Sequence, residues 1–371
     1  MSLVQPVPAR GKSRLRVGLA WLLALGLSIP AAGCAPPPIH ETLWVFGTRA
    51  HIELRGVDRV QGEAALAEAG HRLTLLHREW HAWEDSDLVR INAALARGES
   101  ATATASIVHA LNRAAPLVSD SDGLFDPTIG GLVALWGFHR SEFPILDPPP
   151  DASEVAAWLS ERPRMSDVSI DGNRLSSRNP RAQLDLAAVA EGLAVAQVAK
   201  ILADHDIRHA LIGLGGDVLA LGQAGDRPWR IAVRDPLGAA PDAALGWLNL
   251  HDGESLFSSG GYQRYGESPD GARWPHILDP RTGVPATRSA GVAVLHADPV
   301  TADAAATALF IAGPDGFAEL TASMGLGCAL LLDHEDRLYL TEAMAKRLRL
   351  MRTPTQTERV DRGPSCQQAR D

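Results

Sequence analysis

Apolar residues recur at helical or strand spacing along most of the chain, and the spacing changes at glycine-rich turns. The clearest unit runs from Gln183 to Asp217. Leu184-Asp185-Leu186 predicts a short buried strand with one acid inside it. Ala187, Ala188 and Ala190 follow, closed by Glu191-Gly192. Apolar positions then return at Leu193, Val195, Val198 and Leu202, as an amphipathic helix requires. A second apolar strand, Ala210 to Leu214, ends in Gly215-Gly216-Asp217. Small side chains between strand and helix admit a ligand to the backbone, and a helix N-terminus favours anionic groups. Plain α/β packing uses the same pattern, so the unit alone leaves both readings open.

Elsewhere, Leu43 to Leu54 alternates as a strand interrupted at Gly47-Thr48. Gln61 through Leu76 predicts a helix with Ala65, Leu66, Ala69, Leu73 and Leu76 facing inward. His77 and His81 stand one helical turn apart, a spacing that suits zinc. Their order is not H-E-x-x-H and no third ligand presents itself, so they read as surface histidines. Asp85-Ser86-Asp87 predicts an N-cap leading into Leu88–Asn92. Asp126 precedes a proline and is pushed to an extended conformation, while Ile129–Phe138 could wall an aromatic ligand or simply fill core. Trp229–Val233 predicts a strand, Leu256–Tyr262 combines hydroxyls with glycines, and Pro275–Pro285 is a turn-rich run carrying His276, Asp279 and Arg281. Thr301 opens a helix in which Asp303 and Thr307, four apart, share one alanine-lined face. An acid and a hydroxyl there suit a hard cation. The alternative is that Asp303 caps the helix and Thr307 bonds back to its own backbone.

The ends change the picture. Four basic residues precede an apolar run from Val17 to Ile29 that is too short for an ordinary membrane span, and Ala31-Ala32-Gly33-Cys34 follows. This reads as a bacterial lipoprotein signal over 1–33, with a lipid on Cys34; an ordinary cleaved signal with an incidental cysteine is the alternative. A proline-rich tether would occupy 34–42, the folded part 43–350, and a polar composition rich in Pro, Thr, Gln and Arg from Met351 onward predicts a disordered tail over 351–371. The chain's formal charge of −9 becomes about −13 without the four basic residues ahead of Cys34, which argues against nucleic acid as a partner. Cys328 lies in an apolar run and Cys366 in the polar tail, so no bridge between them is expected, and no CxxC metal spacing exists.

Seven pieces in one order resemble the ApbE family of FAD:protein FMN transferases over about Trp44 to Leu340. They are Phe46-Gly47-Thr48, DGLFDPTIGGLVALWGF from Asp122, LDLAAVAEG from Leu184, IGLGGD from Ile212, SSGGY from Ser258, HILDPRTGVPA from His276 and ADAAATAL from Ala302. The resemblance implies an α+β fold, a mostly antiparallel sheet packed by helices, with two closely associated lobes and a flavin cleft. It implies Mg²⁺ held by the backbone at Ala188, by Asp303 and by Thr307. FAD, the substrate, would contact Phe46, Trp83, Leu124, Phe125, Asp126, Asp185, Glu191 and Ile277. His276, with Asp303, is the implied catalytic residue, as general base or diphosphate contact, with a side-chain pKa near working pH. Targets would be flavin-accepting subunits of membrane redox complexes. The lipid on Cys34 would hold the enzyme on the periplasmic side, with the inner membrane favoured. Trp83 stands where the family often has tyrosine, Phe46 where it often has methionine, and Glu191 where many members carry lysine. Ala306 replaces a further acidic ligand of some members, and Gly261 a usual acid. Rival readings are a periplasmic FAD-binding lipoprotein or FAD pyrophosphatase, a solute-binding lipoprotein of two similar lobes, and a structural envelope protein.

Overall fold

A β-hairpin begins the computed structural model, which describes residues 37–240, 242–360 and 366. The expected signal, Cys34 and the start of the tether lie outside the described residues. Strands β1 (Ile39–Val45) and β2 (Thr48–Leu54) turn at Phe46-Gly47, both at positive φ. The tether expected through residue 42 is thus already strand from Ile39, because its backbone pairs with β2. Helix α1 (Arg59–Trp80) starts on an Asp58 cap and α2 (Asp87–Ala96) on Ser86, whose hydroxyl takes the Val89 amide. Next come β3 (Ala101–Thr102), α3 (Ala105–Asp120), α4 (Gly130–Leu135), α5 (Ala152–Ser160), β4 (Val168–Asp171) and β5 (Arg174–Ser177).

Leu184–Leu186 belongs to no sheet, and Leu186 already turns toward the following helix with φ −99° and ψ 1°. The Asn92 side chain serves both the amide and the carbonyl of Leu184, at 2.7 and 2.9 Å, and the Asp185 amide donates to the Pro127 carbonyl at 2.7 Å. A side-chain amide thus takes the place of a neighbouring strand. Helix α6 (Ala187–Asp204) follows, then β6 (Ala210–Leu214), β7 (Asp217–Leu221), β8 (Trp229–Arg234), β9 (Ala244–Leu250), β10 (Ser255–Gly260), β11 (Tyr265–Glu267), β12 (Arg273–Pro275) and β13 (Ser289–His296). Helix α7 (Pro299–Ser323) is capped by Asp298, so Asp303 is not its cap. The chain closes with β14 (Cys328–Asp333), β15 (Arg337–Thr341), α8 (Glu342–Arg347), β16 (Arg349–Leu350) and β17 (Gln356–Val360).

The fold is α+β. Nine strands form one sheet in the order β1-β2-β6-β7-β10-β13-β14-β15-β17, antiparallel except for the parallel β15–β17 pair. Side chains alternate across each strand, so the sheet feeds two cores. Val292, Val294, Ala329 and Leu331 join the core under α1, α3, α6 and α7, whereas Ala293, Leu295, Leu330 and Leu332 join one under the β16-β9-β8 sheet. The described residues form one compact unit built on these two layers.

The tail differs from the disordered segment its composition suggests. Residues 356–360 pair with β15, and Cys366 is joined to Cys328 by a disulfide with Cα atoms 5.2 Å apart. Backbone pairing needs no apolar side chains, so a polar, mostly exposed strand can close the sheet edge.

Helices α6 and α7 cross at Gly192, where an added Cβ would lie 2.5 Å from the Pro299 carbonyl oxygen. Alanine would favour the helix by about 1 kcal/mol, but the obstacle is backbone and cannot swing away. Gly192→Ala is therefore expected to lose roughly 1–3 kcal/mol of stability, measured by urea unfolding; an unchanged midpoint would contradict this contact.

Candidate functional site

The α6–α7 crossing lies at the floor of a cleft of about 870 Å³, large enough for an extended ligand. All twelve residues singled out from the sequence line this cleft. Phe46 projects from the hairpin turn, and its amide donates to His77 Nδ1 at 3.1 Å. His77 meets His81 edge-on at 5.4 Å, and His81 meets Trp83 at 4.4 Å. These two histidines are half-buried members of the cleft wall, not surface residues, and burial lowers both their pKa values. Trp83 stacks on His139 at 5.5 Å, and His139 Nε2 lies 3.0 Å from Asp185 Oδ2. Burial pushes the Asp185 carboxyl up, but His139, the Ala187 amide and nearby Arg264 outweigh it and hold it below its usual range. Leu124, Phe125 and Ile277 are buried in the wall. Asp126 uses its carboxylate internally, accepting from the Thr128 amide and hydroxyl and from the Met165 amide, so it shapes the loop.

At the floor, Asp303, Asp217 and Glu191 bring three carboxyl groups together. Asp303 Oδ2 accepts the Gly192 amide at 2.8 Å. Ala188, one turn back along α6, also lines the cleft, and a backbone carbonyl has two lone pairs with which to accept. Desolvation pushes Asp303 up to about 7, against the pull of the Gly192 and Glu191 amides. Desolvation and the Asp303 charge raise Asp217 well above its ordinary value, although Ser258 donates to it through amide and hydroxyl. Glu191 is raised in the same way by desolvation and by both aspartates, with Arg264 alone opposing. It stands with the acids at the floor, apart from the aromatic wall, and Gly215 makes room: a Cβ there would lie 2.6 Å from Glu191 Oε2. The Thr307 hydroxyl lies 3.4 Å from that of Ser259 and does not bond back to its own helix. Buried acids short of positive partners, beside a hydroxyl and a backbone carbonyl, form the oxygen-only donor set that suits Mg²⁺.

His276 sits between wall and floor. Its Nδ1 lies 3.0 Å from the Arg264 carbonyl oxygen. A carbonyl only accepts, so Nδ1 carries the proton and Nε2 keeps its lone pair. Desolvation and the Arg264 charge lower its pKa to about 4, not the near-neutral value expected from its type. The imidazole is neutral at working pH, as an acceptor of protons must be.

The ApbE family model matches residues 46–331. The chain belongs to the ApbE family. It is 39% identical over 343 residues to an FAD:protein FMN transferase of Rhodobacter capsulatus, spanning 91% of this chain and 64% of that one. A Haemophilus influenzae protein of the same description is 30% identical, spanning 73% of this chain and 78% of its own. The crystal structure of the Thermotoga maritima ApbE protein superposes with a TM-score of 0.75 at 26% identity, covering 84% of this chain and all of that one (100%).

Two departures from the ApbE pattern acquire physical reasons. Ala306 is buried in the core and lines no part of the cleft, while Asp217 supplies a third acid at the floor. A Cβ on Gly261 would lie 2.9 Å from Pro275 Cβ, so any side chain there would need the turn after β10 or Pro275 to shift. Sequence reasoning gave no role to Asp217, Arg264 or His139. Asp217 carried a signal, as the acid closing a Gly-Gly turn; Arg264 and His139 carried none.

Asp303 holds a proton between the unfolded carboxyl value of 3.8 and its folded value of about 7 that the unfolded chain has released. Its contribution to stability therefore falls as pH rises through that window, by on the order of 4 kcal/mol. Saturating Mg²⁺ should raise the melting temperature more at pH ~8 than at pH ~5, and Asp303→Asn should flatten the difference. Equal Mg²⁺ shifts at both pH values in scanning calorimetry would refute the assignment. In the same ligand-free protein, the His276 ring resonances should not titrate between pH ~8 and ~5.

Proposed function

We propose that the protein is an FAD:protein FMN transferase, using Mg²⁺ to move the FMN half of FAD onto a threonine or serine hydroxyl of another protein, with release of AMP. Flavin transfer is the activity of the relatives described above. The observation that carries the reading is the pairing of an aromatic wall with a floor of cation-poor carboxylates in one cleft.

Each end of the cleft suits one end of the substrate. Phe46, Trp83 and the Leu124-Phe125 wall offer flat apolar faces to an isoalloxazine ring. Asp303, Thr307 and the Ala188 carbonyl would hold Mg²⁺, with Glu191 and Asp217 adding negative charge behind them. When bound, Mg²⁺ neutralises pyrophosphate charge as the bond to AMP breaks. Arg264 adds a fixed positive charge; its Nη2 donates to the Phe46 carbonyl at 3.2 Å, which ties it to the flavin end. In the transfer step the acceptor oxygen bonds to the FMN-side phosphorus and the phosphorus–oxygen bond to AMP breaks. His276 Nε2 takes the hydroxyl proton, and the neighbouring diphosphate raises its proton affinity above that of the empty cleft.

The acceptors in this reading are flavin-carrying subunits of membrane redox complexes. The enzyme would work on the periplasmic side, tethered by a lipid on Cys34, with the inner membrane favoured. Among the described residues no helix is long and apolar enough to cross a membrane, and the support for this placement is the N-terminal sequence pattern.

The soluble part, incubated with FAD, Mg²⁺ and a redox-subunit acceptor, should add an FMN mass to the acceptor. The addition should vanish without Mg²⁺ and in the acceptor's Thr→Ala form. Free FMN and AMP beside an unmodified acceptor would make the protein a pyrophosphatase instead. Asp303→Ala should abolish Mg²⁺-dependent transfer while keeping the wild-type far-UV spectrum. His276→Gln should lower kcat by roughly 10²–10⁴-fold with a much smaller effect on the KM for FAD.

A further inference from the structure

The first hairpin carries a second cluster of chelating side chains, none of which lines the cleft. The β1–β2 register sets His40 opposite Glu53 and Thr42 opposite His51. Side chains alternate across a strand, so these four share one face, while Ala50, Ile52 and Leu54 of β2 point into the core. Diagonal neighbours on one face are within reach of long side chains, and the rings of His40 and His51 stack at 5.5 Å. One ligand atom from each of His40, His51 and Glu53 lies within 4.8 Å of the other two.

Each of the three has an atom to spare. His51 engages the Thr42 hydroxyl through Nδ1 at 3.1 Å, leaving Nε2 for another partner. Glu53 receives the Arg55 guanidinium on Oε1 at 2.6 Å, leaving Oε2. His40 is exposed, and none of the hydrogen bonds among the described residues engages its ring. Two imidazoles and one carboxylate form a borderline donor set, which favours Zn²⁺, Ni²⁺ or Cu²⁺ over the oxygen-seeking Mg²⁺. Ligands of a tetrahedral zinc ion stand roughly 3.3 Å apart, so rotamer adjustment on an open face closes the remaining gap. The Thr42 contact fixes the ring of His51, as outer partners of metal-bound histidines do.

We propose that His40, His51 and Glu53 form a transition-metal site of the zinc class on the outer face of the hairpin, separate from the catalytic cleft. A bound ion would clip the edge strand β1 to β2. Arg55, held against Glu53, opposes the cation and sets a limit on affinity.

The test is a calorimetric titration of the whole protein with Zn²⁺, with Mg²⁺ present in excess so that the cleft acids are occupied. One zinc equivalent should be lost in His40→Ala and in His51→Ala, and kept in His77→Ala and His81→Ala. Thr42→Val should weaken binding about tenfold, and Arg55→Gln should tighten it, a change that no merely structural role for the hairpin predicts. Far-UV spectra matching wild type show that the variants fold. Zinc stoichiometry unchanged in both His40→Ala and His51→Ala, or no zinc bound by the wild-type protein, would overturn the proposal.

Discussion

The Gly192 amide donates to the Asp303 carboxylate where α6 crosses α7, and most of the cleft depends on that contact. It requires a glycine, because the Pro299 carbonyl occupies the space of any Cβ. It buries an acid among two others and gives that acid a backbone amide as a donor. The result is a floor whose negative charge the fold itself does not neutralise. Desolvation penalises the charged form of each acid, and the acids penalise one another, so under the proposed function protons and a divalent cation would compete for the same place. A site that is poor for stability is in this way made good for binding.

The wall works by the opposite rule. Burial lowers the pKa of His77 and His81 there, while His139 and a helix-start amide hold the Asp185 carboxyl below its usual range. Arg264 is the hinge between the two regimes, since its charge acts on Asp185, Glu191 and His276 while its side chain reaches the Phe46 carbonyl. One long cleft thus presents a flat apolar surface at one end and carboxyl groups short of positive partners at the other, a split that suits the proposed flavin dinucleotide.

The sequence was most legible where function rests on local spacing. Asp303 and Thr307 lie four apart on a helix, and the strands and helices around Gln183–Asp217 follow their apolar period apart from the Leu184–Leu186 segment. That segment read as a strand because its pattern is a strand's; only the fold shows that Asn92, 92 positions away, supplies its hydrogen bonds. His77 and His81 read as surface residues because the ring and amide that cover them come from a hairpin 31 positions distant. Asp217 meets Asp303 only once β7 and α7 are both in place. The tail strand and the Cys328–Cys366 bond left no apolar signature, since both are made without burying a periodic face.

The strand order sets the first strand at one edge of the nine-stranded sheet and the last at the other, with neighbours drawn from all parts of the chain between them. A polypeptide is made and delivered from its N-terminus, so the hairpin must wait for β6, and β10 must wait for β13. The cleft floor needs α7, which begins at Pro299. A chain cut short before residue 299 would carry the aromatic wall, Glu191 and Asp217, but neither Asp303 nor Thr307, the two side chains that α7 brings to the floor.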